Sequence, residues 1–407
     1  MMLSAKKWLK IALFNLLIVV GIGVILRYKI AFSLPFIDQK HLLHGHSHFA
    51  FVGWITQALM IFLVDYLAQQ KNDTNIFKKY DWLLKANLFT AYAMLIAFPI
   101  EGYGVFSIIA STLSIFVAYS FAVVFWKDLN ALNKKNIAHL WFKAALAFNA
   151  FSSLGAFALA FMMIKKVVHQ NWYLASEYFY LHFQYNGWFF FVCMGLLMVK
   201  LSATNSQKKL HTIFILFFLA AVPAYFLSAL WMNIPIWVYV LVILAAIIQL
   251  WGWVLTVGVL KNSLMFLKES LNSIGRWVLT LSAVALTIKL TLQLGSTIPS
   301  LSTLAFGFRP IVIGYLHLVL LGVITLFILG YMFANNFIAA NKNTAISVTI
   351  FCIGVFVNEF FLMAQGVAAL YYTNLPYINE ALLVTALVMF CSMLFLFLNY
   401  KDKAITK

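Results

Sequence analysis

The stretch HFAFVG, from His48 to Gly53, returns as HFQYNG from His182 to Gly187 and as HLVLLG from His317 to Gly322. The shared pattern is His, four residues, Gly, and the histidines are separated by 134 and 135 residues. The second and third copies also share Tyr-Leu before the histidine, beginning at Tyr180 and Tyr315. A fixed period with one landmark per unit is the signature of repeated architecture. Each copy sits at the start of an apolar run long enough to span a bilayer. The chain therefore reads as three four-helix units, each with one histidine near the outer end of an inward-running helix.

The rest of the chain agrees. Of its 407 residues, 64% are hydrophobic and 10% charged, against about 25% charged in a soluble domain. The mean hydropathy is +0.95. A soluble globule, a disordered chain, a coiled coil and a disulfide scaffold are excluded. Apolar runs are read at 8–27, 44–67, 80–99, 103–126, 137–164, 178–199, 210–231, 235–260, 275–296, 308–333, 344–371 and 377–399. The expected fold is an all-α polytopic membrane protein of about twelve transmembrane helices in three pseudo-repeated four-helix arcs. It forms a single integral membrane domain over 1–407, with repeats at roughly 1–136, 137–270 and 271–407.

The net charge of +17 raises the question of a nucleic-acid partner, and the position of the charges answers it. With a cytoplasmic amino terminus, 19 of the 28 Lys and Arg residues fall in inner segments, 6 in outer segments and 3 within spans. That bias is the positive-inside rule, so both termini are expected in the cytoplasm of a multi-pass inner-membrane protein. The basic balance reflects topology and attraction to the lipid bilayer rather than nucleic-acid binding. Residues 1–27 have a basic start and an apolar core but no small-residue cleavage site, and read as an uncleaved first helix. Cys193, Cys352 and Cys391 fall within spans without CxxC spacing and read as packing residues.

Histidine inside a span is costly unless it is bonded, paired or coordinating. Three at equivalent positions favour a shared cofactor over three separately satisfied core residues. Heme iron is the natural match, because neutral imidazole is its common axial ligand. Gly53, Gly187 and Gly322 then either admit a flat group or pack a neighbouring helix. In the run HLLHGHSH, His41, His44 and His48 are spaced to share one helical face. They read as a copper or zinc site, or as a solvated helix entrance with only His48 inside. His46, offset from that face, competes with His48 for the heme. Lys289 lies within a span, and Asn358 and Glu359 lie mid-helix as a proton-relay element or as partners of Lys289.

These segments resemble the catalytic subunit of the heme-copper oxidases, most nearly its nitric oxide reductase branch. HSHFAFVGW at 46–54 resembles the helix-2 segment that carries a low-spin heme ligand, and YLHLVLLG at 315–322 resembles the helix-10 segment that carries the other. LHFQYNGW at 181–188 resembles the helix-6 metal-ligand segment. The resemblance implies one b-type heme held by His48 and His317, with Gly53 and Gly322 beside it and Lys289 and Arg309 on its propionates. It implies His182 as a ligand of a non-heme copper or iron, and a cytochrome or quinol donor and other membrane subunits as partners.

The departures are large. The family places an adjacent histidine pair around helices 7 and 8 and two histidines on helix 10. Here 228–235 reads SALWMNIP, and the position two before His317 is Tyr315. Three of six ligands remain, so the non-heme metal lacks most of its ligand set and no catalytic residue is assigned. No CxxCH is present, which excludes covalent c-type heme. The expected function is a heme-binding membrane redox protein with an incomplete binuclear centre, carrying electrons or binding O2 or NO. The alternatives are an atypical terminal oxidase or nitric oxide reductase, and a heme-free transporter using Lys289 and Glu359.

Overall fold

The computed structural model describes residues 3–133, 136–302 and 309–400. Among them there is no strand, and 85% of the structure is helix. The principal helices are α1 (Ala5–Ala31), α2 (Gln39–Lys71), α3 (Ile76–Glu101), α4 (Val105–Asn130), α5 (Ala138–Ile164), α6 (170–201), α7 (Gln207–Ala221), α8 (Ile236–Asn262), α9 (Ser273–Gly295), α10 (Arg309–Ala334), α11 (Lys342–Leu370) and α12 (Ile378–Leu398). Among the described residues ten helices are long and apolar enough to cross a membrane, or eleven when α7 and its bent continuation Pro223–Ala229 count as one span. The predicted run at 178–199 is helical in α6, but His182, Gln184 and Asn186 make it more polar than the others. Large apolar side chains such as Phe89, Ile96, Phe106, Leu219, Trp251 and Phe360 are exposed. Bands of this kind suit a lipid environment, and the chain is a multi-pass membrane protein. Of the lysines counted on the inner side, Lys134, Lys135, Lys401, Lys403 and Lys407 lie outside the described residues.

Local chemistry places the ends of the helices that matter here. The Asp38 carboxylate caps α2 by accepting the His41 N–H at 2.8 Å, which satisfies one of the helix's orphan donors. Pro99 sits in the last turn of α3, and Gly102 follows at φ +61°, a left-handed conformation suited to glycine. Beyond α7, Pro223 has no N–H to donate, and the Tyr225 N–H turns to the Val222 carbonyl at 3.1 Å. The chain bends there by 45°. The Ala221 carbonyl, which a continuing α-helix would have paired with Tyr225, is left to find another donor.

The chain divides into two compact units. The first contains Met1–Leu132, Asn272–Leu279 and Thr325–Lys407, and the second contains Asn133–Leu271 and Thr280–Ile324. The first repeat thus lies in the first unit and the second in the second, while the third is shared. In the first unit α12 closes onto α1, with the Tyr400 hydroxyl on the Lys6 carbonyl at 2.8 Å and Phe14 against Phe397 at 5.5 Å. In the second, Trp141 of α5 is buried against Phe191 of α6 at 5.0 Å and Phe214 of α7 at 5.3 Å.

Candidate functional site

Each repeat histidine is followed at once by a π-helical segment: Phe49–Thr56 in α2, Phe183–Phe189 in α6 and Leu318–Thr325 in α10. The i→i+5 pattern is rare, comes mostly as single turns, and gathers at functional sites. Here it occurs three times, at the same place in each repeat. The widened turn brings residues i and i+4 close together. A Cβ on Gly53 would lie 2.7 Å from the Phe49 ring, and one on Gly322 would lie 3.5 Å from Leu318. The other neighbours of these glycines are helices. A Cβ on Gly187 would lie 2.6 Å from Phe148 of α5, and one on Gly322 would lie 3.2 Å from Ala285 of α9. The room left by the three glycines is therefore taken up by protein.

A widened helix turns carbonyl oxygens out of its own ladder, and polar side chains from the preceding helix of each repeat, and in the first repeat from the following helix too, meet the segment. Asn15 of α1 donates to the Gly53 carbonyl at 2.6 Å and accepts from the Tyr92 hydroxyl at 2.7 Å. Asn87 of α3 donates to the Val52 carbonyl at 3.1 Å and to Gln57 at 2.8 Å. In α6, Gln184 donates to Asn149 and to Ser152 of α5, both at 2.8 Å. In α10 the Val323 carbonyl accepts from Ser282 of α9 at 2.7 Å. Asn15 and Asn149 are 134 residues apart, as are Trp54 and Trp188. That spacing was readable from the sequence, but no motif drew attention to these residues.

The histidines of the first unit fall on two sides of α2. His41, His44 and His48 share the expected face and run along the end of α3 and its turn. His48 stacks on Phe98 at 4.3 Å and 11°, His44 meets Tyr103 edge-on at 4.7 Å, and His41 lies over Gly102. His46 faces α1, where it bonds the Val19 backbone and lies against Gly23. The His46 Nδ1 is buried without a hydrogen-bond partner, as is Nε2 of His44. Glu359 of α11 is bonded by Asn358 at 3.1 Å and attracts Arg27 of α1. Among the described residues no three His, Cys, Asp or Glu side chains come together in a metal-holding group.

In the second unit, carbonyls fix the proton on each ring, because a carbonyl can only accept. His317 Nδ1 donates to the Ile313 carbonyl one turn back at 2.8 Å, which puts the ring's lone pair on Nε2. Metal-binding histidines are commonly held this way. His182 Nε2 donates at 2.8 Å to the Ala221 carbonyl orphaned by the bend. Its Nδ1 must then accept, and Asn186 donates to it at 3.1 Å. The Asn186 oxygen in turn accepts from Lys289 Nζ of α9 at 2.7 Å. Both ring nitrogens of His182 thus point at protein groups. Lys289 is 5% exposed and forms no ion pair among the described residues. Arg309 is exposed at the start of α10.

This arrangement can do two kinds of chemistry: present imidazole lone pairs in apolar surroundings, and hold a positive charge on a buried chain of hydrogen bonds. No family model matches the chain, and no characterised protein matches it.

Proposed function

We propose that this chain is a heme-binding membrane redox protein that carries electrons or binds O2 or NO. The observation that carries the reading is the coincidence, in all three repeats, of a histidine with the start of a π-helical segment. His317 in the second unit has its Nδ1–H locked on a carbonyl and its lone pair on Nε2. His46 in the first unit has a buried, unpartnered Nδ1, and His48 has neither ring nitrogen hydrogen-bonded among the described residues. These donors fit a b-type heme iron, which would supply one-electron chemistry and a binding position for a diatomic gas. The chain's own residues hold the imidazoles in orientation and keep their surroundings apolar. His182, with both nitrogens engaged, is not among the ligands we assign.

In the same reading α6 is the twelfth span, both termini are cytoplasmic, and the membrane is the inner one, as the lysine distribution supports. The test is the dithionite-reduced optical spectrum of the purified protein, with heme counted per chain, in the wild type and in His46→Ala, His48→Ala and His317→Ala. The expected result is a low-spin heme that is lost in His317→Ala and in one of the other two variants. A wild type without heme overturns the reading. It would leave the heme-free transporter, a second reading favoured by one observation: Lys289 is buried and, among the described residues, has an amide as its single partner.

A further inference from the structure

The chain Lys289–Asn186–His182–Ala221 lies in the second unit and calls for no heme. Its parts are unusual for a membrane interior. A buried ammonium in low-dielectric surroundings pairs with another ionisable group or with backbone carbonyls, and the unit's two acidic residues, Glu177 and Glu269, are both exposed. At its other end the chain meets the carboxyl terminus of α7. The last carbonyls of a helix carry the negative end of its dipole and favour a cation, and here the Ala221 carbonyl is bonded by His182 itself. One end of the chain therefore carries a cationic side chain, and the other offers a place where a cation is stabilised.

Asn186 connects the two through groups of opposite sense. Its oxygen faces Lys289 and its NH2 faces His182. If the amide turned over, the oxygen would face His182 Nδ1 and the NH2 would face Lys289. That second arrangement is satisfied when His182 is an imidazolium donating through Nδ1 and Lys289 is a neutral amine accepting through its lone pair. His182 Nε2 keeps its bond to Ala221 in both. We propose that His182, Asn186 and Lys289 form a buried proton-binding site that holds one positive charge, on Lys289 or on His182, with the Asn186 amide orientation reporting which.

Between the two states Lys289 Nζ gives up one proton and His182 Nδ1 gains one, carried by water. No bond other than N–H changes, and the charge of the group stays at one. Two charges at once are excluded because a single amide has one oxygen to offer. Among the described residues the other titratable groups near His182 are phenols: Tyr185 on α6 with ring centres 6.5 Å apart, Tyr225 after α7 at 6.1 Å, and Tyr178 and Tyr315, which act on Tyr185. Phenols are neutral near pH 7. From α5 the segment is met by Asn149 and Ser152, both uncharged.

The test is 15N NMR of histidine- and lysine-labelled full-length protein in lipid vesicles, with the His182 and Lys289 signals assigned by difference from His182→Gln and Lys289→Met, between about pH 5 and pH 9. In the wild type His182 keeps one deprotonated nitrogen throughout while Lys289 holds the charge. In Lys289→Met the charge passes to His182, whose deprotonated-nitrogen signal is lost toward the acid end. In Asn186→Asp the carboxylate accepts from both sides, and His182 becomes an imidazolium with Lys289 present. A His182 that stays neutral in both variants overturns the proposal, as does a wild-type imidazolium beside a charged Lys289. Heme content does not enter these readouts, so the heme reading stands or falls separately.

Discussion

The π segments of α2 and α6 share the sequence His-Phe-x-x-x-Gly-Trp, with the histidine directly ahead of the segment in each. Their histidines nevertheless live differently. His48 stacks on a phenylalanine and makes no hydrogen bond among the described residues, whereas His182 is bonded through both nitrogens. One position accounts for much of the contrast. The residue four after the histidine is Val52 in α2, Asn186 in α6 and Leu321 in α10. Only the amide can reach back to an imidazole one turn above. The repeated backbone supplies the same platform three times, and in α6 the Asn186 side chain ties its histidine to Lys289.

Substitutions can break this comparison at several levels, each read as stability by denaturant unfolding in lipid–detergent micelles. The largest expected effect is His182→Ala, which orphans the Ala221 carbonyl and the Asn186 amide and leaves a cavity, at about 3 kcal/mol. His48→Ala, which loses mainly a stacked ring, is expected to cost about 1 kcal/mol. Equal losses at the two sites would erase the distinction drawn here. Next is Asn186→Leu, which makes α6 resemble α10 and strips Lys289 of its partner, at about 2 kcal/mol. Adding Lys289→Met should recover most of that loss, and additive costs would show that the two residues are not coupled.

Smaller effects separate the anchors of the π segments. Asn15→Leu removes two hydrogen bonds and is expected to cost about 1.5 kcal/mol, against about 0.6 kcal/mol for Ser282→Ala, which removes one. The smallest effect concerns the helix caps. The Asp38 carboxylate is held below the usual carboxylate range, chiefly by the His41 N–H, so the stability it contributes is present at neutral pH. That contribution is lost as pH falls through the group's folded-state value. α6 is capped instead by His169, accepting from the Trp172 N–H at 3.4 Å. Acid should therefore fray the first turn of α2, and Asp38→Ala should remove that dependence, as hydrogen exchange at His41 and Leu42 would show.

The long apolar helices and the three histidines were legible in the sequence, because hydropathy and a fixed spacing are properties of composition and order. So was the shared face of His41, His44 and His48, which follows from helical geometry. The π widening was not legible, because it is a choice of hydrogen-bond register that no residue type announces. The Ala221 carbonyl was hidden for a similar reason. Pro223 is visible, but which donor would meet the carbonyl it frees depends on tertiary packing. Asn186 passed as one residue in a motif, and its meaning appeared only when Lys289 was found 2.7 Å away.

The polarity of α6 has a consequence for how the chain is made. His182, Gln184 and Asn186 lie within one short stretch, and their partners come from other helices: Asn149 and Ser152 on α5, Ala221 at the end of α7, and Lys289 on α9. On the ribosome α5 emerges before α6, while α7 and α9 follow. As it leaves the translocon, α6 can satisfy Gln184 against α5 but must wait for synthesis to pass residue 289 before Asn186 finds its lysine. On the twelve-span reading proposed above, the integration of α6 is a late event, and truncated nascent chains ending before α9 should hold α6 less firmly in the bilayer than chains that include it.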